Sequence, residues 1–276
     1  MALNSTRLFW PRWNNGSAIW SMPKKGGQAV RVVGASVTAM VADDAYLYWT
    51  DQYGLYSTPV GGGEVAQLAS TWPIQKLALD EMGALYWTVA AGTFGNAGAV
   101  HRMQNRADAV IASNQSAAAV AVDADFAYFA TFNSTGIGAL RRVPRNGGTV
   151  ESLVDCPAQC FVSGVRVDSE NVYWREAYTG KVFAREKKTG AVRTLDAGNG
   201  FDGSTTYGDN LAVNGGVVYW NRMGGLGRMY GIFRVNADGT GFAAVDSSND
   251  ATWFAVAVDD AAVYYLHAGS IIRRLK

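Results

Sequence analysis

The chain has 276 residues, 24 Lys and Arg against 23 Asp and Glu, and a net charge of +1. Hydrophobic residues make up 49% and charged residues 17%, with 32 glycines and 9 tryptophans, a balance that excludes a disordered chain and favours a turn-rich β protein with a sizeable core. The near-zero charge gives no electrostatic case for nucleic acid or an anionic membrane surface, and no run of about 18 apolar residues would insert into a bilayer.

Taken in chain order, the sequence repeats an adjacent pair of aromatic residues. RLFW ends at Trp10, YLYW at Trp49, ALYW at Trp87, FAYF at Phe129, NVYW at Trp174, VVYW at Trp220 and AVYY at Tyr265. The copies lie 38 to 46 residues apart. A period of roughly 40–45 residues holding several short strands marks a propeller rather than a helical solenoid. Residues 1–35 are expected to supply strands two, three and four of a first blade, so the first repeat reads as cut and upstream sequence as missing. MALNSTRLFW shows no basic stretch leading into an apolar run, hence no visible signal peptide.

Five complete units follow. The fourth repeat is representative: AAVAVD, FAYFATF, GALRRVP and TVESLV are its four strands, rich in β-branched and aromatic residues and bounded by Gly, Asn, Asp and Pro. Strand one recurs as LALD ending at Asp80, VRVD at Asp168, LAVN at Asn214 and VAVD at Asp259. The link from strand three to four is KKGGQ, VGGGE, RNGGT, KKTGA or NADGT, where Gly supplies the positive φ of a tight turn. Only NRADA, from Asn105, lacks the glycine. From Phe254 onward the chain supplies strands one, two and three. The 26 strands so counted favour an all-β propeller of seven four-stranded blades, both terminal blades a strand short, as a single domain over residues 1–276. A six-bladed ring with an extra C-terminal hairpin is the alternative.

A blade inside a propeller is covered on both faces, so its strands tolerate consecutive large apolar residues. Tyr48 and Trp49 then point to opposite faces, and each is expected to pack against a neighbouring blade. Tyr48-Trp49-Thr50-Asp51 is a literal YWTD, and Tyr86-Trp87-Thr88, Tyr173-Trp174 and Tyr219-Trp220 are partial copies. The chain resembles YWTD-type β-propellers, and more closely the secreted bacterial propellers built of D-x-x-x-VYW…VP-x-x-GG repeats. The resemblance covers nearly the whole chain. It implies the propeller fold, the six blades and protein partners known for YWTD propellers, and a secreted location.

In a four-stranded antiparallel blade the one–two and three–four turns share one end, and the two–three and four–one links share the other. The first set is short throughout. The second includes the long links 89–98, 155–164, 196–209, 221–231 and 246–253. Long loops on a rigid scaffold are where binding usually sits. The candidate contact residues on this loop face are Trp13, Tyr53, Trp72, Phe94, Phe132, Tyr178, Tyr207, Tyr230 and Trp253. The plainer alternative is that these rings pack the loops onto the blade tops.

Catalytic chemistry is sparse. Cys156 and Cys160, in CPAQC, are the only cysteines. Their place on one long link suits a small disulfide ring in an oxidising compartment, with free thiols as the alternative. Zinc would need further ligands, and His101 and His267, the only histidines, lie far away in sequence. No nucleophile elbow, zincin motif or Walker loop appears, so no catalytic residue, metal or cofactor is expected. The recurring Asp43, Asp80, Asp123, Asp168 and Asp259 sit where strand one enters its turn and are expected to cap it. The leading expectation is a non-enzymatic module, extracellular or periplasmic, binding a protein or glycan through the loop face. A lyase or hydrolase working in the central funnel, or a purely structural domain, are the competing readings. Oligomeric state and ligand identity are not fixed by the sequence.

Overall fold

The structure, a computed structural model, describes residues 1–12, 16–71, 73–92, 97–132, 138–156, 161–177, 179–198, 211–222, 230–248 and 253–276. These residues form strands and no helix, 27 strands in six four-stranded sheets and one three-stranded sheet, every pairing antiparallel. The sheets are the seven blades of a β-propeller.

Blade 1 is β1 (Ala2–Leu3), β2 (Arg7–Arg12), β3 (Ala18–Pro23) and β4 (Val30–Val33). Blade 2 is β5 (Ala39–Ala42), β6 (Tyr46–Thr50), β7 (Leu55–Pro59) and β8 (Ala66–Ala69). Blade 3 is β9 (Ile74–Leu79), β10 (Leu85–Val89), β11 (Ala99–Gln104) and β12 (Ala107–Ser113). Blade 4 is β13 (Ala117–Val122), β14 (Phe126–Phe132), β15 (Gly138–Pro144) and β16 (Glu151–Asp155). Blade 5 is β17 (Val162–Val167), β18 (Asn171–Glu176), β19 (Val182–Glu186) and β20 (Val192–Asp196). Blade 6 is β21 (Leu211–Asn214), β22 (Val217–Arg222), β23 (Tyr230–Asn236) and β24 (Ala243–Ser248). Blade 7 holds β25 (Trp253–Val258), β26 (Ala262–His267) and β27 (Ser270–Leu275). First strands of consecutive blades contact one another and form the inner ring.

The sequence reading left blade 1 without a first strand, and the structure corrects this. Ala2 and Leu3 pair with Phe9 and Leu8, so blade 1 has four strands, and among the described residues blade 7 is the one with three. Two residues carry no periodicity, which is why this strand escapes a pattern search. The missing glycine in the blade 3 turn is also explained. Asn105 (φ 51°) and Arg106 (φ 65°) both take left-handed backbone, forming a two-residue hairpin turn without glycine at some steric cost.

Every aromatic pair lies on its blade's second strand, and the two rings divide between the two flanking interfaces. Tyr86 packs forward with Val120, Ala127 and Phe129 of blade 4, while Trp87 packs back with Leu55 of blade 2. Tyr128 goes forward with Val165 and Trp174, and Tyr173 with Leu211 and Trp220. The rule crosses the seam between the last blade and the first. Tyr264 joins Leu8 and Trp10 of blade 1, and Phe9 joins Leu47 and Trp49 of blade 2. Trp87, Trp174 and Trp220 are among the largest fully buried side chains, each removing roughly 150–250 Å² from water.

Strand four of each complete blade contributes a second recurring device. Its pairing with strand three slips by one residue in all six. The extra residue is always a branched aliphatic: Val32, Leu68, Ile111, Leu153, Leu195 or Val245. Each joins the hydrophobic cluster between its own blade and the next. A bulge bends the strand and re-aims its side chain, and here it turns an aliphatic group into the outer part of the interface.

Replacing Trp174 by Ala is expected to cost about 3–5 kcal/mol, because two packed blades cannot collapse around the space left by an indole. Urea unfolding of Trp174→Ala against the parent protein measures this. A loss under about 1 kcal/mol would show that the interface repacks.

Candidate functional site

The turns at the plain end are built on the recurring aspartate. In Asp43, Asp80, Asp123, Asp168 and Asp259, Oδ1 accepts two N–H bonds from the turn that follows, at 2.6–3.0 Å. Oδ2 accepts the hydroxyl of the first tyrosine of the blade's aromatic pair, from Tyr48, Tyr86, Tyr128, Tyr173 and Tyr264, at 2.7–3.2 Å. The expectation of turn capping holds, and the tyrosine bond adds to it. In blade 1 Asn4 takes the place of the acid, accepting from Thr6 and Arg7 N–H at 3.0 and 2.7 Å.

A cation from the next blade completes several of these clasps. Lys187 Nζ lies 2.6 Å from Asp123, Arg145 lies 3.6 Å from Asp80, and Lys24 lies 2.7 Å from Asp259 across the seam. Lys276 donates to Asn214, which stands where other blades have the acid. Each cation is the first residue after a strand three, as PK, PR, EK or LK. That spacing was readable in the sequence, but the cation's partner, one repeat away, was not.

The clasp between blades 4 and 5 opens into a cleft of about 540 Å³ whose lining includes Glu81, Asp123, Phe126, Tyr128, Arg142, Asp168 and Lys187. Its groups are largely paired. Lys187 also donates to the Asp168 carbonyl, and Arg142 stacks over Phe126 at 4.1 Å while bonding Glu151 at 2.7 Å. Burial alone would raise the Asp123 carboxyl. The Lys187 bond, two N–H groups and the Tyr128 hydroxyl outweigh it and hold the group below its ordinary value.

The loop end differs. In blade 2 the link is short: Asp51 Oδ1 accepts from Tyr53 and Gly54 N–H at 2.7 and 3.1 Å. This turn leaves Tyr53 66% exposed. A Cβ on Gly54 would lie 2.2 Å from the Ala69 carbonyl oxygen, so only glycine fits there. Phe132 packs against Phe161 with ring centroids 5.4 Å apart and planes tilted by 57°, and Tyr230 is half-buried beside the blade 6–7 core. Trp253 begins β25, and its side chain lies outside the described residues, as do Trp13, Trp72, Phe94, Tyr178, Tyr207 and Cys160.

A polar layer beneath the loop end of blades 5 and 6 was not anticipated. Arg175 donates to Asn221 at 3.0 Å, both nearly fully buried. Arg222 pairs with Asp196 at 2.8 Å, and Asp196 also accepts the Gly198 N–H at 3.0 Å. Among the described residues, the buried Asp196 Oδ2 and Arg222 Nε have no hydrogen-bond partner. A buried carboxylate oxygen in this state can take a further donor, since an unmatched buried polar atom costs about 1–3 kcal/mol. The sequence signal was faint: Arg or Asn directly after the YW pair, where other blades carry Thr50 or Thr88. His101 stacks on Trp87 at 4.8 Å and faces Asp108 at 3.1 Å, which places it in packing. Among the described residues no three His, Cys, Asp or Glu side chains group to hold a metal, and no helix is long and apolar enough to cross a membrane.

No known family model matches the chain, and no curated protein matches it. Solved structures do. A chain of a nidogen/laminin complex is 14% identical with a TM-score of 0.63, over 89% of this chain and 93% of that one. TolB from Acinetobacter baumannii is 14% identical with a TM-score of 0.59, over 85% of this chain and 62% of its own. The computationally designed Ika8 protein is 12% identical with a TM-score of 0.62, over 99% and 82%. A designed protein standing level with natural ones shows that the likeness is one of fold.

The clasps bound stability in pH. Tyr48 is pushed up to about 12 from 10.0, first by burial and then by Asp43. A raised phenol contributes stability that is complete below pH 10 and lost as pH rises through about 12. The lowered Asp123 contributes above 3.8, and its share is lost as pH falls through the lowered value. Absorbance titration should find a tyrosine ionising near 12 in the folded protein, and Lys187→Met should move the acid limb of the stability curve to higher pH. Ordinary phenol titration throughout, or an unmoved acid limb, would contradict the clasp geometry.

Proposed function

We propose that this protein is a non-enzymatic binding module that engages a protein or glycan partner through its loop face. The observation that carries the reading is the asymmetry between the ends. The plain end is closed by short, mutually bonded turns, while the long links and exposed Tyr53 lie at the other. Short links close a blade well, so uneven lengths on one side only are the mark of a surface shaped by a partner. Tyr53, Phe132, Tyr230 and Trp253, with Trp13, Trp72, Phe94, Tyr178 and Tyr207, are the candidate contacts. The nidogen/laminin complex is a binary protein assembly by its name, which is consistent with a protein partner here. The sequence resemblance to YWTD-type propellers supports the same mode.

We also infer an extracellular or periplasmic location, with Cys156 and Cys160 paired as a disulfide within one link. Cys156 is 8% exposed just after β16, and its N–H donates to the Gly138 carbonyl at 3.1 Å. That anchors the root of the link the bond would close. Mass spectrometry of the oxidised protein alkylated without reduction should find neither cysteine modified; two alkylated thiols would reject the pair.

Photo-crosslinkers at Tyr53 and at Asp125 test the working face. With a glycan array and cell-envelope extract as probes, adducts should form from position 53 and not from position 125. Replacing residues 199–209 or 223–229 by short turns should abolish binding and leave the unfolding midpoint unchanged. Adducts from position 125 alone, or undiminished binding by the shortened proteins, would overturn the assignment.

A further inference from the structure

Five blades close their first turn with an aspartate whose Oδ2 takes the hydroxyl of a tyrosine on strand two. Blade 6 holds every part of that clasp except the acid. Tyr219 stands in the tyrosine's place on β22, Lys276 Nζ lies 5.7 Å from the centre of its ring, and the same ammonium donates to Asn214 Oδ1. Asn214 fills the aspartate's position. Burial holds the Lys276 ammonium below its ordinary value, against the opposing effect of Asp260 and Asp259, as befits a cation set against a neutral amide.

Asn214 also meets its turn differently. Asp123 and Asp168 each turn Oδ1 back to accept two N–H groups of the residues that follow. The Asn214 side chain reaches away instead, with Nδ2 donating to Asp260 at 2.9 Å and Oδ1 held by Lys276. The turn is shaped by Gly215 (φ 59°) and Gly216 (φ 72°), both in left-handed backbone. A Cβ at either would meet open space, and among the described residues the Gly215 N–H has no partner. Asn146–Gly147, the other Asn-Gly pair among the described residues, differs: the Gly147 N–H donates to the Pro144 carbonyl at 2.8 Å. At Asn214 an amide whose oxygen rests on an ammonium is therefore followed by an unengaged main-chain nitrogen, on a residue with no side chain to obstruct its approach.

We propose that Asn214 is a deamidation site and that its aspartate product completes the blade 6 clasp. The Gly215 nitrogen, its proton passing to solvent, bonds to Asn214 Cγ. The Cγ–Nδ2 bond breaks, and Nδ2 takes up a proton and leaves as ammonia. Lys276 stabilises the negative charge that develops on Oδ1. Water then adds to Cγ of the cyclic imide, the bond from Cγ to the Gly215 nitrogen breaks, and that nitrogen recovers its proton. Water is the one co-reactant, and nothing is oxidised or reduced. The new carboxylate faces Lys276 as Asp123 faces Lys187, and it stands where the other aspartates accept their tyrosine. The pairing of Asn214 with Val217 favours this outcome, because opening the imide at the main-chain carbon would add a methylene to the backbone and break the hairpin register. The site lies at the plain end, apart from the loop face.

The test uses the full 276-residue protein, purified in the cold, held in warm, mildly alkaline buffer and followed by peptide mass spectrometry. The amide-to-acid exchange should appear at position 214 ahead of position 146. Its product should be cut by a protease that cleaves before aspartate and not before isoaspartate. Lys276→Met, its folding checked by circular dichroism, should slow the exchange at 214 severalfold and leave that at 146 unchanged. Asn214→Asp, made directly, should unfold at a higher urea midpoint than the fresh parent at neutral pH. A carboxylate beside an ammonium is held low, so this gain is present above the ordinary carboxylate range and is lost as pH falls through it. No exchange at 214, exchange there no faster than at 146, a mainly isoaspartyl product, or an unaltered rate in Lys276→Met would overturn the proposal. So would an Asn214→Asp midpoint at or below the parent's, which would show that repulsion from Asp260 outweighs the pairing with Lys276.

Discussion

The architecture depends on one constraint: two adjacent side chains on a β-strand must point to opposite faces. Placing two large rings side by side on every second strand commits each blade to a neighbour on both sides. Tyr86 needs blade 4 and Trp87 needs blade 2, and the same holds around the ring to Tyr264 and Trp10 at the seam. A lone blade would leave both rings in water, and only closure satisfies them all. The ring is thus a product of local stereochemistry repeated seven times, without a long-range instruction.

The tyrosine of each pair also carries a polar task. Its ring is buried between blades while its hydroxyl reaches the aspartate that caps the preceding turn. Turn geometry and interface packing are coupled through one side chain. A cation from the next blade then ties the clasp to its neighbour wherever Lys24, Arg145 or Lys187 is present. Where the cation is absent, as at Asp168, the turn bonds and tyrosine bond remain. The ion pair supplements the clasp and does not define it.

Much of this was legible in the sequence because it repeats. The aromatic pairs, the glycine turns and the terminal aspartates each recur at a fixed phase, so seven noisy copies reinforce one signal. What did not repeat was lost. Ala2–Leu3 is too short to show a pattern, and Asn105–Arg106 makes a left-handed turn without the residue that usually announces one. Bonds between repeats, such as Lys187 to Asp123 or Arg175 to Asn221, depend on superposing blades that sequence spacing alone does not superpose. The bulged aliphatic in strand four recurs six times, yet a register slip is invisible until the partner strand is known. The loop-face aromatics belong to links that differ from blade to blade, so nothing in the repeat constrains them.

The seam has a mechanical consequence. Six blade junctions are crossed by the polypeptide as well as by side-chain packing, whereas among the described residues blades 7 and 1 meet through side-chain packing and the Lys24–Asp259 pair. The molecule is a split washer held shut by surface adhesion. Tension applied between its first and last blades falls on that joint before any covalent span is loaded. The ring would yield there first and then peel blade by blade, its compliance set by one interface, while compression across the disc is shared by all of them.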